Sequence, residues 1–325
     1  MWRGVFWFAS TVACLAVSLL GQEDIDNLAE KTSIDTGFRL KVRADWVYVN
    51  ASVWGNRKRA SVVDLRKEDF LLYEDGQLRS IDACLPSETP FHLLLLLDVS
   101  GSTSSFIQLI REAARKFTDQ LKPGDRIAIM TFHSEAVMIQ PFTNNRESAK
   151  VAIDQIRPEG STAFYDAAIA ALRAFRDIQE RKAIVIFSDG ADNQLVSASQ
   201  GSKATFEQLR QAVRETDCMI YTVLLLPFEP DRYRDDVLYR ASAQLASLAE
   251  ETGGRSFKPR KARDLAATYG EIANDLRYVY TLTFTPGLPR SGGWHDLKLQ
   301  IKAREGVVTR CRPGYFTIEE TGAAE

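Results

Sequence analysis

Three short polar segments contain the residues of this 325-residue chain that could do chemistry. The first, Asp98-Val99-Ser100-Gly101-Ser102, directly follows five consecutive leucines, and the second is Gly160-Ser161-Thr162. The third is Phe187-Ser188-Asp189-Gly190. The candidate ligands are two carboxylates and three hydroxyls: Asp98, Asp189, Ser100, Ser102 and Thr162. Hard oxygen ligands of this kind suit magnesium, manganese or calcium rather than zinc.

The segments around these residues predict an α/β domain over residues 91–277. Apolar runs at 91–97, 126–132, 182–187 and 218–226 are typical of strands buried on both faces. Helical spacing of apolar residues separates the runs, and strands that alternate with helices indicate a doubly wound, mostly parallel sheet. Ligands bind beyond the carboxyl ends of such strands, where the candidate ligands lie. The spacing therefore predicts a metal site at this edge.

The chain on both sides of this domain has the alternating pattern of β-strands. Residues 38–88 include an Asp75-Gly76 turn between two short strands, and residues 278–318 alternate again. Neither segment is large enough to bury much surface alone, so we expect the two to pack together as a small flanking β module. Residues 22–37 are predicted to be a linker and residues 319–325 a tail.

The five candidate ligands resemble the metal-ion-dependent adhesion site of von Willebrand factor type A domains, which has an Asp-x-Ser-x-Ser motif, a distant Thr and a distant Asp. The flanking β segments resemble those of exported bacterial proteins that contain such a domain, with Glu68-Asp69-Phe70 before it and Arg312-Pro313-Gly314-Tyr315 after it. The resemblance implies a non-catalytic, adhesion-type protein. Its ion, Mg²⁺ first and Mn²⁺ or Ca²⁺ as alternatives, would accept an Asp or Glu side chain of a protein partner.

Other interpretations of the same residues stay open at this point. Ser102 or Ser104 could simply cap the following helix, and Asp192 could either assist the site or serve as a turn residue or cap. His133 is given no role. A metal-dependent hydrolase is a second candidate, although the motif lacks a nearby general base. A structural module whose metal only staples loops is a third. No Gly-x-Ser-x-Gly or phosphate-loop pattern occurs, so we expect no enzyme.

Charge, the first residues and the cysteines complete the predictions. The formal net charge of −2 provides no basic surface for nucleic acid. Residues 1–21 have the layout of a secretory signal peptide, which predicts an exported protein, either periplasmic, extracellular or on the cell surface. An uncleaved anchor is the alternative, and only then would the chain contact a membrane. Cys84 and Cys311 could pair if the two flanking β segments meet.

Overall fold

The computed structural model describes most of the chain. The leader and linker predicted for residues 1–37, and the tail predicted for residues 319–325, lie outside the described residues. The described ranges are 46–56, 60–85, 88–195, 201–225, 235–259, 262–287, 293–302 and 304–317. Within these ranges no helix is long and apolar enough to cross a membrane.

Fourteen strands and six α-helices are described. The strands are β1 (Val47–Gly55), β2 (Phe70–Glu74), β3 (Gln77–Arg79), β4 (Ile81–Leu85), β5 (Phe91–Asp98), β6 (Arg126–Phe132), β7 (Ala136–Thr143), β8 (Arg181–Ser188), β9 (Met219–Leu224), β10 (Ser256–Phe257), β11 (Val279–Phe284), β12 (Gly293–Ile301), β13 (Val307–Cys311) and β14 (Gly314–Thr317). The helices are α1 (Ile107–Asp119), α2 (Arg146–Asp154), α3 (Phe164–Arg173), α4 (Phe206–Arg214), α5 (Asp235–Glu251) and α6 (Ala262–Arg277).

The α/β part is built on a six-stranded sheet in the order β10-β9-β8-β5-β6-β7, in which only β7 is antiparallel to its neighbour. The leucine run lies in β5 near the middle of the sheet. Leu93, Leu95 and Leu97 pack on the face covered by α1, α2 and α6. Leu94 and Leu96 pack on the face covered by α3, α4 and α5. The predicted doubly wound, mostly parallel α/β class is confirmed.

The flanking strands form two antiparallel four-stranded sheets, β13-β1-β11-β4 and β14-β12-β2-β3. Each sheet combines strands from both sides of the α/β part, and their apolar residues share one core that includes Leu72 of β2 and Leu282 of β11. Asp75 and Gly76 both have positive φ, as the tight turn between β2 and β3 requires. This is the small flanking β module of the predicted fold class. The individual domain boundaries remain a prediction.

Cys84 and Cys311 do not pair, and the disulfide considered from the sequence is wrong. Both thiols are free. Cys84 lies on β4 and Cys311 on β13, which are the two outer strands of one sheet and have β1 and β11 between them. Three strand spacings place the two Cα atoms roughly 14 Å apart, which is too far for a disulfide.

Two buried charged residues lie where the β module meets the α/β part, and one of them, Arg312, bonds across the junction. Asp125, whose side chain is fully buried, accepts bonds from both terminal nitrogens of Arg277 at 3.3 and 2.6 Å. It also accepts the Phe91 amide at 3.3 Å, so it holds the chain where the α/β part begins and where it ends. Arg312 donates to the carbonyls of Thr216 and Arg214, both at 2.7 Å, beside the end of α4. The β module is thereby fixed at the end of the sheet opposite the carboxyl ends of the parallel strands.

Candidate functional site

Asp98 is the last residue of β5, at the carboxyl edge of the parallel sheet, and it is completely buried. Its Oδ1 accepts hydrogen bonds from the Ser100 amide at 3.0 Å and the Ser100 hydroxyl at 2.5 Å. Its Oδ2 accepts a bond from the Ser188 hydroxyl at 2.6 Å. Because Ser100 donates its proton to Asp98, the lone pairs of the serine oxygen remain available for a cation.

Ser102 joins this group, since its Oγ lies 3.0 Å from Ser100 Oγ. The interpretation of Ser102 or Ser104 as the cap of the following helix finds no support, because neither residue stands at the N-cap position of a helix that the structure describes here. Ser100 precedes a short 3₁₀ helix, Gly101–Phe106, and makes no side-chain cap bond to it. The residue that precedes α1 is Phe106, again without a side-chain cap. The serine hydroxyls therefore bond to Asp98 and to each other and leave the helix amides to other acceptors.

The other two candidate ligands lie on neighbouring loops of the same edge. Asp189 follows β8 directly and is 2% exposed, while Thr162 precedes α3 and is 3% exposed. The Thr162 hydroxyl makes no hydrogen bond with any residue that the structure describes. Burial, followed by the Asp189 charge, raises the pKa of Asp98 to about 7, although its hydrogen bonds oppose this. Two buried carboxylates whose charges act on each other favour a cation at the site.

Backbone hydrogen bonds connect the loops that carry the candidate ligands. Gly101 donates to the Gly160 carbonyl at 3.1 Å, and Asn193 donates to the Thr162 carbonyl at 3.0 Å. Gly160 has a φ of 71°, and a Cβ there would lie 2.9 Å from the His133 ring, so this position requires glycine. The loops thus form one connected edge.

Ser188 is the main contributor to this site that the sequence prediction missed. Its hydroxyl bonds Asp98 and also accepts the Gly190 amide at 2.8 Å, which links the end of β5 to the loop after β8. The only signal was its place beside Asp189. His133 lies on the rim, where its Nδ1 accepts the Ser134 amide at 2.7 Å. Among the described residues there is no cluster of three or more His, Cys, Asp or Glu side chains that could hold a metal.

The donor set and the fold can now be compared with known proteins. Residues 93–191 match the family model of the von Willebrand factor type A domain. The chain therefore contains a von Willebrand factor type A domain. Such domains mediate protein–protein interactions and commonly bind a divalent metal.

Individual relatives cover only part of this chain. A UPF0353 protein of Mycolicibacterium paratuberculosis is 30% identical over 206 residues, which are 57% of this chain and 60% of that protein. A UPF0353 protein of Mycobacterium bovis is 26% identical over 205 residues, with the same two shares. The chain thus spans about 60% of the length of the curated relatives it matches.

One solved structure similar to this chain is a von Willebrand factor type A protein of Catenulispora acidiphila. It is 14% identical, with a TM-score of 0.46, and the match covers 87% of this chain and 76% of that one.

Proposed function

We propose that this protein is a non-catalytic binding protein whose type A domain holds a divalent metal and uses it to bind an acidic group of a protein partner. The ligands would be Asp98, Ser100, Ser102, Thr162 and Asp189. The observation that carries the proposal is a pair of buried carboxylates next to hydroxyls, one of which has its proton directed at Asp98. The residues present therefore fit a hard divalent cation, with Mg²⁺ expected first and Mn²⁺ or Ca²⁺ as alternatives.

The charge of the donor set favours a carboxylate as the partner's group. Asp98 and Asp189 are the two charged groups among the five ligands, while Ser100, Ser102 and Thr162 contribute only neutral oxygens. An ion held mainly by neutral ligands remains attractive to a further anion. A partner Asp or Glu side chain would satisfy that attraction. Binding would then depend on both the metal and the partner's negative charge.

Nothing in the geometry favours the hydrolase alternative over binding. The described histidine on the rim, His133, has its Nδ1 engaged by the Ser134 amide. Ser188 and Ser100 both direct hydrogen bonds at Asp98, so this carboxylate is occupied in holding hydroxyls in place. These contacts suit a fixed set of ligands better than a group that must take up and release a proton during turnover.

A metal-dependent pull-down tests the partner side of the proposal. Immobilised protein should retain partners from a cell-envelope extract in Mg²⁺ and release them in chelator. The Ser102→Ala variant should lose them, because it removes one neutral ligand. The matched control is Ser105→Ala, which removes an exposed hydroxyl from the same 3₁₀ helix and should retain them. Equal retention in chelator by a folded protein would support a metal that only staples loops.

Turnover and export are tested separately. A panel of esters and phosphate esters, assayed with Mg²⁺ or Mn²⁺, should show no hydrolysis. Metal-dependent turnover that Asp98→Ala abolishes would instead establish a hydrolase.

We also propose that residues 1–21 direct export. Intact-mass analysis of the mature protein from its own host should show a start near residue 22, whereas a retained Met1 would favour an anchor.

A further inference from the structure

Helix α3 begins at Phe164, two residues after Thr162. Its N-cap residue is Ala163, so the helix has no side-chain cap of its own. Ala163 has no side-chain acceptor for the free amides of the first turn. The Tyr165 amide instead donates to Asp192 Oδ2 at 3.2 Å, and the Asp166 amide donates to Ser202 Oγ at 3.0 Å. The cap of α3 is therefore supplied by residues far along the chain.

Asp192 belongs to the loop after β8 that also contains Asp189, and it is fully buried. Its carboxylate accepts four hydrogen bonds. They come from the amides of Tyr165 at 3.2 Å, Gln194 at 2.9 Å and Ser202 at 3.1 Å, and from the Ser202 hydroxyl at 2.6 Å. One of these bonds lies within the loop of Asp189, one joins that loop to α3, and two join it to the segment that begins at residue 201.

The segment that begins at Gly201 passes very close to the Asp192 side chain. Gly201 has a φ of 104°, and a Cβ there would lie 2.3 Å from Asp192 Oδ1, so this position also requires glycine. One residue away from Asp192, the Asn193 amide bonds the Thr162 carbonyl at 3.0 Å. Two independent contacts therefore tie the loop of Asp189 to the segment of Thr162.

We propose that Asp192 is a positioning residue of the metal site. By capping α3 from the Asp189 loop, it sets the distance between Thr162 and Asp189 without contacting the ion. The inference rests on the proposed function, since it needs a metal at these ligands. It predicts that Asp192 controls metal affinity only through the placement of Thr162.

The test is calorimetric titration of Mn²⁺ into four proteins: wild type, the two single variants and the double variant. Asp192→Asn should bind about 10-fold more weakly than wild type, the scale at which residues that orient metal ligands act. Thr162→Ala should also bind more weakly. In the double variant, Asp192→Asn should add no further loss, because residues that act through one another give non-additive effects.

Two further variants make the outcome specific. Asn145→Ala is the matched control, because Asn145 caps a different helix, α2, by accepting the amides of Glu147 and Ser148 at 3.0 and 3.2 Å, and it bonds no candidate ligand. Its affinity should equal that of wild type. Ser202→Ala removes a single donor to Asp192 and should weaken binding in the same direction as Asp192→Asn, which keeps the test valid if the latter does not fold.

The outcomes separate this inference from the proposed function. If wild type itself binds no metal, the proposed function fails. If wild type binds and folded Asp192→Asn or Ser202→Ala binds equally well, the positioning role is overturned. Full additivity of the Asp192 and Thr162 losses would overturn it as well, because Asp192 would then act by another route.

Discussion

Asp125 provides the sharpest test of how the beginning and the end of the α/β part are held together. Its carboxylate is fully buried and pairs with Arg277, whose side chain is only 10% exposed. It also accepts the amides of Phe91 and Lys122, at 3.3 and 2.7 Å. Replacing Asp125 with alanine leaves a buried guanidinium without its counter-charge and two amides without this acceptor.

The expected loss follows from these contacts. Removing one partner of a buried ion pair typically costs about 3–5 kcal/mol, because the remaining charge stays buried and uncompensated. Asp125→Ala should therefore lower the free energy of unfolding by about 3–5 kcal/mol. Asp125→Ala combined with Arg277→Met should lose clearly less than the sum of the single variants, because the unpaired charge is then gone.

Urea denaturation followed by circular dichroism measures this loss. The control is Asp64→Ala, which breaks the exposed ion pair with Arg304 and should leave the transition midpoint almost unchanged. A loss below about 1 kcal/mol for Asp125→Ala, no more than one ordinary hydrogen bond, would refute the reasoning.

Three further predictions concern other buried charges. Burial and the Asp189 charge raise the pKa of Asp98 to about 7. The metal-free protein should therefore lose stability as pH rises from about 4 to 7. In thermal melts, the Asp98→Asn variant should not show that loss. A melt of Asp98→Asn that keeps the wild-type pH dependence would contradict this. Burial alone would raise the pKa of Glu74, but hydrogen bonds led by the one from Tyr315 hold that pKa below 4.5. The ionised Glu74 side chain should therefore stabilise the protein above pH 4.5, and this stabilisation should be lost as pH falls through the lowered pKa. Acid titration of Glu74→Gln should show a weaker decline. Arg312→Ala should lower the urea midpoint, because it leaves the carbonyls of Thr216 and Arg214 without this donor. An unchanged midpoint would show that these bonds do not stabilise the junction.

Much of the fold could be predicted because its signals are local. The leucine run of β5 needs no distant information to be recognised as a buried strand, and alternation of strands with helices specifies a parallel sheet. The polar residues that follow β5 and β8 then come together at one edge. In contrast, β7 was not predicted: it contains Pro141 and has partly buried residues throughout most of its length, as suits an edge strand.

The missed features depend on contacts between distant residues. Asp125 and Arg277 are 152 positions apart, and nothing in either neighbourhood indicates the pair. The sequence did single out Asp192 as a turn residue or cap, and it does cap a helix, but which helix it caps could not be predicted, because that helix begins 28 residues earlier. The strand order that separates Cys84 from Cys311 could not be predicted either, because each cysteine lies in a short alternating segment whose neighbours in the sheet are distant in sequence.

The central claim is that Asp98 and its four companions bind a divalent metal. Isothermal titration of Mg²⁺ or Mn²⁺ into the purified protein tests it directly, with circular dichroism to confirm that each variant is folded. Wild type should bind one ion and Asp98→Ala should bind none. Equal binding by the two proteins, or no binding by wild type, would contradict the account.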